Sequence, residues 1–391
     1  MSCISGNNNK QTAILSDVFE RREILNKKDI SLVKKAFKPE ESVIDRIYTC
    51  YYDNGNVYMM NSDKGSTAVM TEESEEAYHK ILRSALTGKI GKKLFSLKFA
   101  DQGETSDAQQ MLCNVYPHDT EKEDIEILFR AIMDSYRPNG RALIILAKGT
   151  MDIPAKSDSD ESDYVYEFML CCVCRAETVK DGLKYEADEK AFVDTGDDRV
   201  VRCPEFGFLF PCFNDGMPDI HEVLYYARKE DEIQTEVITD VLGCGEPFPE
   251  SEQKASFQAA VSSALGESCT VEALSGVYGA VADYVNESKY EREDNTEVEP
   301  ASFKRVLKEN GIDDDAADSM EDELRKIVEN GGTIDASNVT EDISITNEYM
   351  SVKVKSAYAD RIETRVIDGV EYILLPAAGV DVNGIAARSA R

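Results

Sequence analysis

Apolar positions follow two periods that alternate along the chain. From residue 27 to 37, Ile30, Val33 and Phe37 recur at three- and four-residue steps, which gives a helix one apolar face. Asn26 stands before it as N-cap with Asp29 three residues on, Leu25 is placed to act as a staple, and Lys38-Pro39 ends it. Val43–Tyr52 and Val57–Met60 then read as strands. The residues between them, Asp53-Asn54-Gly55-Asn56, suit a type I′ hairpin because Asn and Gly both tolerate positive φ. Thr71 predicts a capped helix to about Leu86, with Gly88 just past its end. Leu94–Phe99 alternates apolar and polar residues as a strand does. Thr120-Glu-Lys-Glu123 has the form of a capping box opening a helix to about Tyr136, closed by Pro138-Asn-Gly140. Ala142–Ala147 is uniformly apolar, as a central strand buried on both faces would be.

Tyr164–Ala176 and Phe206–Phe213 read as further strands on either side of a less regular stretch. Asn214-Asp-Gly216 is a turn, after which Asp219 and Glu222 form a cap-like pair predicting a short helix through Tyr226. Helices are expected at Ser251–Leu265, Val271–Asn286, Ser302–Asn310 and Asp314–Asn330. Strands follow at Ser351–Lys355, Arg361–Ile367 and Val370–Leu375, the last two joined at Asp368-Gly369. Strands and helices do not alternate strictly. The pattern therefore predicts an α+β fold, with a mixed sheet, hairpins and packed helices. The expected divisions are an N-terminal extension over 1–25 with a short helix at Ile14–Leu25, and a main domain over 26–286. An acidic linker over 287–300 and a smaller C-terminal domain of helices and hairpins over 301–391 complete the chain.

Charge narrows the functional classes. Seventy-five acidic residues against 44 basic ones leave a net charge of −31 over 391 residues, which repels phosphate backbones and anionic lipid. Nucleic acid is disfavoured as a general partner, and no apolar run is long enough for a membrane span. The start, MSCISGNNNK, has neither the basic residues nor the apolar stretch of a signal peptide. A cytoplasmic protein is expected, with its ten cysteines reduced. The charge is uneven: residues 287–335 carry sixteen acids against seven bases, whereas residues 1–60 carry eight against nine. Within 80–100 there are six bases and no acid.

That basic stretch reads first as an ordinary solvated face or a seat for the protein's own acidic segments, and second as a candidate anion-binding patch of Lys80, Arg83, Lys89, Lys92 and Lys93, with Lys27, Lys28, Lys34 and Lys35 adding local positive charge. Thr87-Gly-Lys-Ile-Gly-Lys-Lys93 is not a P-loop, because it lacks the first Gly and the Ser/Thr that would bind magnesium. The second candidate is catalytic. Asp215, Asp219 and His221 around one turn could serve a metal or acid–base reaction, and Cys244 between two glycines could expose a thiol. Against this, Asp219 is already explained as a cap, and Cys244 reads first as part of a Gly-rich turn. Cys171-Cys-Val-Cys174 sits in an apolar strand. Cys172 and Cys174 would face one side and Cys171 the other, as core residues without zinc spacing. Asp158–Asp163 lacks the Gly and Glu of a calcium loop. No metal site and no cofactor is expected.

Several collinear blocks resemble one bacterial family, known as domain of unknown function forty-three seventeen. They are Asn26-Lys-Lys-Asp-Ile30, Leu82–Leu94, Tyr166–Arg175, Gly207-Phe-Leu-Phe-Pro211, Asp219–Tyr226 and Arg361–Ile373. The resemblance runs from about residue 26 to 385. One departure is Cys174-Arg175, where members commonly have Cys-Pro. The resemblance implies a cytoplasmic bacterial protein and brings no site residues with it. The expected role is a non-enzymatic binding or assembly protein, with a protein partner or self-association. The alternatives are a metal- or thiol-dependent hydrolase and nucleic-acid binding through the N-terminal basic patch.

Overall fold

The computed structural model describes residues 27–38, 44–53, 55–60, 71–100, 106–117, 119–137, 140–153, 164–179, 182–186, 190–194, 199–214, 216–291, 296–340, 342–376, 381–382 and 385–386. The expected helix at Ile14–Leu25, the Asn26 cap and the Asp158–Asp163 stretch lie outside these residues. The fold is α+β, and the chain divides into two compact units, Met1–Pro247 and Phe248–Arg391.

The first unit is built on a seven-stranded sheet. Its strands are β1 (Ile44–Asp53), β2 (Asn56–Met60), β3 (Leu94–Lys98), β4 (Arg141–Ile153), β5 (Tyr164–Thr178), β8 (Arg199–Phe210) and β11 (Glu222–Ala227), in the order β2-β1-β4-β5-β8-β11-β3. Every ladder is antiparallel rather than mixed. Two small hairpins lie outside it, β6 (Leu183–Glu186) with β7 (Ala191–Asp194), and β9 (Cys212–Asn214) with β10 (Met217–Asp219). Asp53 pairs with Asn56 across the expected turn, and Gly55 has φ 95°.

Helices cover both faces of the sheet, which is why its central strands read as continuous apolar runs. On one face, α1 (Lys27–Ala36) and α2 (Glu72–Ser84) pack Val33, Phe37, Leu82 and Ala85 against Ile145, Phe168, Leu170, Cys172 and Leu224. On the other, α3 (Asp107–Val115) and α4 (Lys122–Tyr136) pack Leu112, Phe129 and Ile132 against Ile144, Cys171, Phe208 and Tyr225. A π-helical turn at Val237–Val241 joins α3 and α4 on that face. Thr71 caps α2 by accepting from the Ser74 amide at 3.3 Å. The α3 helix was not anticipated from the apolar pattern; Ser106 caps it, accepting from the Gln109 amide at 3.1 Å.

Two local expectations are corrected. Thr120 does not cap α4; its hydroxyl turns back, with its one hydrogen shared among the nearby carbonyls of Asn114, Val115 and Pro117, and the helix starts beyond Glu121 without a side-chain cap. The segment from Glu222 to Tyr226 is strand β11, not a helix. Val223 and Tyr225 enter one core and Leu224 and Tyr226 the other, so burial on both faces removes the alternation that marks a strand.

The second unit begins with helices α5 (Glu250–Leu265), α6 (Val271–Glu291), α7 (Pro300–Glu309) and α8 (Asp314–Glu329), followed by a short α9 (Ala336–Val339). Phe257, Val281, Phe303, Leu307, Ala317 and Leu324 form its core. The expected division at 287–300 falls inside this unit, because α5 and α6 share that core with α7 and α8. Hairpins β12 (Ile343–Thr346)/β13 (Ser351–Val354) and β14 (Glu363–Ile367)/β15 (Val370–Leu374) follow. The second turns on Asp368 and Gly369 at φ 50° and 78°, as its type I′ pattern requires. The acidity of this unit is partly neutralised internally. Lys304 pairs with Asp318 at 2.8 Å and Glu321 at 2.9 Å, and Lys308 with Asp314 at 2.6 Å.

Candidate functional site

The catalytic candidates fall on the turn between β9 and β11. Asp215 lies outside the described residues. Asp219 accepts from the His221 amide at 2.8 Å through Oδ1 and from Asn214 Nδ2 at 3.3 Å through Oδ2, so it closes the turn. Asn214 Nδ2 also donates to Glu222 Oε2 at 2.8 Å. Ser96 Oγ donates to the same oxygen, and Lys98 Nζ lies 3.3 Å from Oε1. This Glu222 cluster is therefore a buried carboxylate whose oxygens are already occupied. It positions β9 against β11 and β3, and presents no free base. The His221 side chain is exposed.

Cys244 is 2% exposed, and its Sγ points to the Leu97 and Leu242 carbonyls. Burial, with the nearby Glu222 charge, pushes its thiol up to about 12, so it carries no thiolate at neutral pH. Its neighbouring acid is Glu222. Cys171 lies in one core, whereas Cys172, Cys174 and Cys212 lie in the other, as the strand period requires. Burial raises all four thiols. Among the described residues no group of three or more His, Cys, Asp or Glu side chains could hold a metal ion. A second buried carboxylate, Glu205, is likewise spent, on Arg175 at 2.8 Å and on the Tyr136 hydroxyl.

The basic candidates divide. Lys89, Lys92 and Lys93 belong to the tight turn between α2 and β3, where the Lys89 carbonyl accepts from the amides of Lys92, Lys93 and Leu94. None of these three lysines lines the cavity beside α2. Lys80 and Arg83 do line it. The cavity holds about 670 Å³ and is lined by Lys34 and Lys38 from the end of α1, and by Glu76, His79, Lys80, Arg83, Ser84 and Thr87 from α2 and its exit.

Local sequence explains the assembly. Lys34 and Lys38 are four residues apart around the end of α1, and positions 76, 80, 83 and 87 follow the three- and four-residue steps of one helical stripe. The two elements are fastened together by His79, whose Nδ1 donates to the Phe37 carbonyl at 3.1 Å. Phe37 in turn packs on Phe168 of β5, with ring centroids 5.0 Å apart. His79 is 1% exposed, and its Nε2 has no hydrogen-bond partner among the described residues; Glu75 Oε1 stands 3.6 Å away. Arg83 Nε is also buried without a partner.

Among the described residues, four cationic side chains thus meet one carboxylate, Glu76, in a concavity of the size that small ligands occupy. None of the four is in an ion pair with another described residue. Sequence reasoning found Lys80 and Arg83 but missed Lys38, Glu76, His79, Ser84 and Thr87. The helical stripe could have grouped the α2 residues, but nothing in the sequence places α1 beside them.

Among the described residues no helix is long and apolar enough to cross a membrane. No curated protein and no solved structure matches the chain. One family does match, along residues 25–385, which takes in the sheet, the cleft and the second unit. The chain belongs to the family described as Domain of unknown function (DUF4317).

Proposed function

We propose that this chain is a non-enzymatic binding protein of the bacterial cytoplasm that takes an anionic ligand in the cleft between α1 and α2. The observation that carries this reading is the convergence of Lys34, Lys38, Lys80 and Arg83 on one cavity whose lining, among the described residues, has a single carboxylate, Glu76. Four like charges in one concavity repel one another, and an anion that enters relieves that repulsion. The protein's net charge of −31 acts in the opposite direction at long range, holding off extended polyanions. At physiological salt that field decays over about 8 Å, so a compact anion inside the cleft responds mainly to the local cations. This favours a small ligand over nucleic acid. The hydrolase alternative loses support from the burial of Cys244 and the fully engaged oxygens of Glu222. A cytoplasmic setting fits nine described cysteines that are all free thiols.

The test is calorimetric titration of the full chain with inorganic pyrophosphate at low and at physiological salt. Binding is expected to weaken as salt rises, and to be lost in a Lys34→Glu/Lys80→Glu double variant that keeps its circular dichroism. Binding that survives the double charge reversal would overturn the reading. A chain silent toward anions that runs as a fixed oligomer in light scattering would replace it with the assembly role.

A further inference from the structure

The same cleft displays hydrogen-bond acceptors as well as cations, and the acceptors say more about the ligand. Ser84 Oγ donates its hydrogen to the Ile81 carbonyl at 2.6 Å, and Thr87 Oγ1 donates to the Arg83 carbonyl at 2.8 Å. Each hydroxyl has one hydrogen, so what remains for a ligand is its lone pairs. Glu76 adds a carboxylate, an acceptor only. The donors are the ammonium groups of Lys34, Lys38 and Lys80 and the guanidinium of Arg83, whose Nε is also unpartnered.

An inorganic anion could use the four cations, but it would leave the acceptors unmet and would face Glu76 as a like charge. A neutral polyol could meet the acceptors but would leave the cations unneutralised. One molecule satisfies both sets if it carries a phosphoryl group and free hydroxyls together. The space agrees. The stripe from Glu76 to Thr87 extends about 16 Å at the helical rise, and the cavity of about 670 Å³ lies within the range of small-molecule sites. Resting on the anion-binding reading above, we infer that the ligand is a phosphorylated, hydroxyl-bearing small molecule such as a sugar phosphate. The phosphoryl group lies among Lys34, Lys38, Lys80 and Arg83, and the ligand hydroxyls donate to Ser84, Thr87 and Glu76.

The experiment is calorimetry on the full chain with ribose 5-phosphate, inorganic phosphate, ribose and a short single-stranded oligonucleotide. Ribose 5-phosphate is expected to bind at least about tenfold tighter than inorganic phosphate, with ribose silent. Ser84→Ala and Thr87→Val should bring ribose 5-phosphate down toward inorganic phosphate while leaving the latter's affinity unchanged. Lys80→Glu, an exposed position that leaves the core intact, should abolish both. Equal affinity for ribose 5-phosphate and inorganic phosphate would overturn this inference while the anion cleft stands. Failure of every anion to bind would overturn both. An oligonucleotide that outcompetes ribose 5-phosphate would overturn the small-molecule assignment.

Discussion

Lys148 is the group whose removal most directly tests the structure. It lies on β4 in the middle of the sheet, 1% exposed, and its Nζ donates to the Pro117 carbonyl at 2.8 Å. The Tyr48 ring centroid is 6.0 Å away. Burial, and then the Arg46 charge on the neighbouring strand, lower it from 10.5 to about 8. At about 1.4 kcal/mol per tenfold change, the protonated side chain is about 3 kcal/mol less favourable in the folded chain than in the unfolded one. Between about pH 8 and 10.5 the unfolded chain keeps this proton while the folded chain has released it, so the Lys148 contribution to stability rises with pH across that window. Lys148→Met removes the buried charge and keeps the volume. It also leaves the Pro117 carbonyl without this donor, which costs about 1 kcal/mol. The variant is therefore expected to be more stable than the parent by about 2 kcal/mol at pH 7. The difference should shrink as pH rises toward 10. Urea unfolding followed by circular dichroism at several pH values measures it, and the parent–variant difference cancels the cysteines and tyrosines that titrate nearby. A variant less stable than the parent at pH 7, or a difference that stays flat from pH 7 to 10, would refute the argument.

Three other expectations are independent of it. Gly207 lies where β8 meets β5, and an added Cβ would stand 2.6 Å from the Cys171 carbonyl oxygen and 3.4 Å from Ala85. Gly207→Ala should therefore destabilise the fold by about 1–3 kcal/mol, the usual cost of overpacking, seen as a lower urea midpoint; an unchanged midpoint would count against the close approach. Iodoacetamide at neutral pH should label Cys203 and Cys269, both exposed, and should spare Cys171, Cys172, Cys174, Cys212 and Cys244 until the chain unfolds, as peptide mass mapping would report. Labelling of Cys244 as fast as Cys269 would revive its candidacy as a nucleophile. Glu222→Leu removes the acceptor of Ser96 and Asn214 inside a buried cluster and should cost about 1–3 kcal/mol, whereas His221→Ala on the exposed turn should be close to neutral; equal effects would mean that the turn is organised differently.

Short-range physics made part of this protein legible. The helices α1, α2, α5, α7 and α8, the hairpin that pairs Asp53 with Asn56 around Gly55 and the turn at Asp368-Gly369 depend on side-chain periods, caps and left-handed backbone, all set by a few adjacent residues. The same local chemistry misled where two structures share a signature. Asp219 and Glu222 have the spacing of a helix start, yet Asp219 closes a turn and Glu222 opens a strand buried on both faces, where no alternation remains to read. The acidic stretch at 287–300 has a linker's composition, but α5 and α6 on its N-terminal side share one core with α7 and α8 on the other. A boundary is a matter of which surfaces are buried together, and composition does not record it.

The cleft makes the same division at the level of function. From the sequence came a local excess of bases in 80–100 and the helical stripe that puts Lys80 and Arg83 on one side of α2. Packing decided the rest. Both helices must bury an apolar face on the same side of the sheet, and the His79–Phe37 hydrogen bond fixes their approach. Lys34 and Lys38 thereby arrive beside residues about forty positions away, while Lys89, Lys92 and Lys93 belong to the turn into β3 and do not line the cavity. Charge was countable from the chain alone. Its concentration into a cavity follows from non-local burial, because the free energy of covering the sheet fixes the distance between α1 and α2.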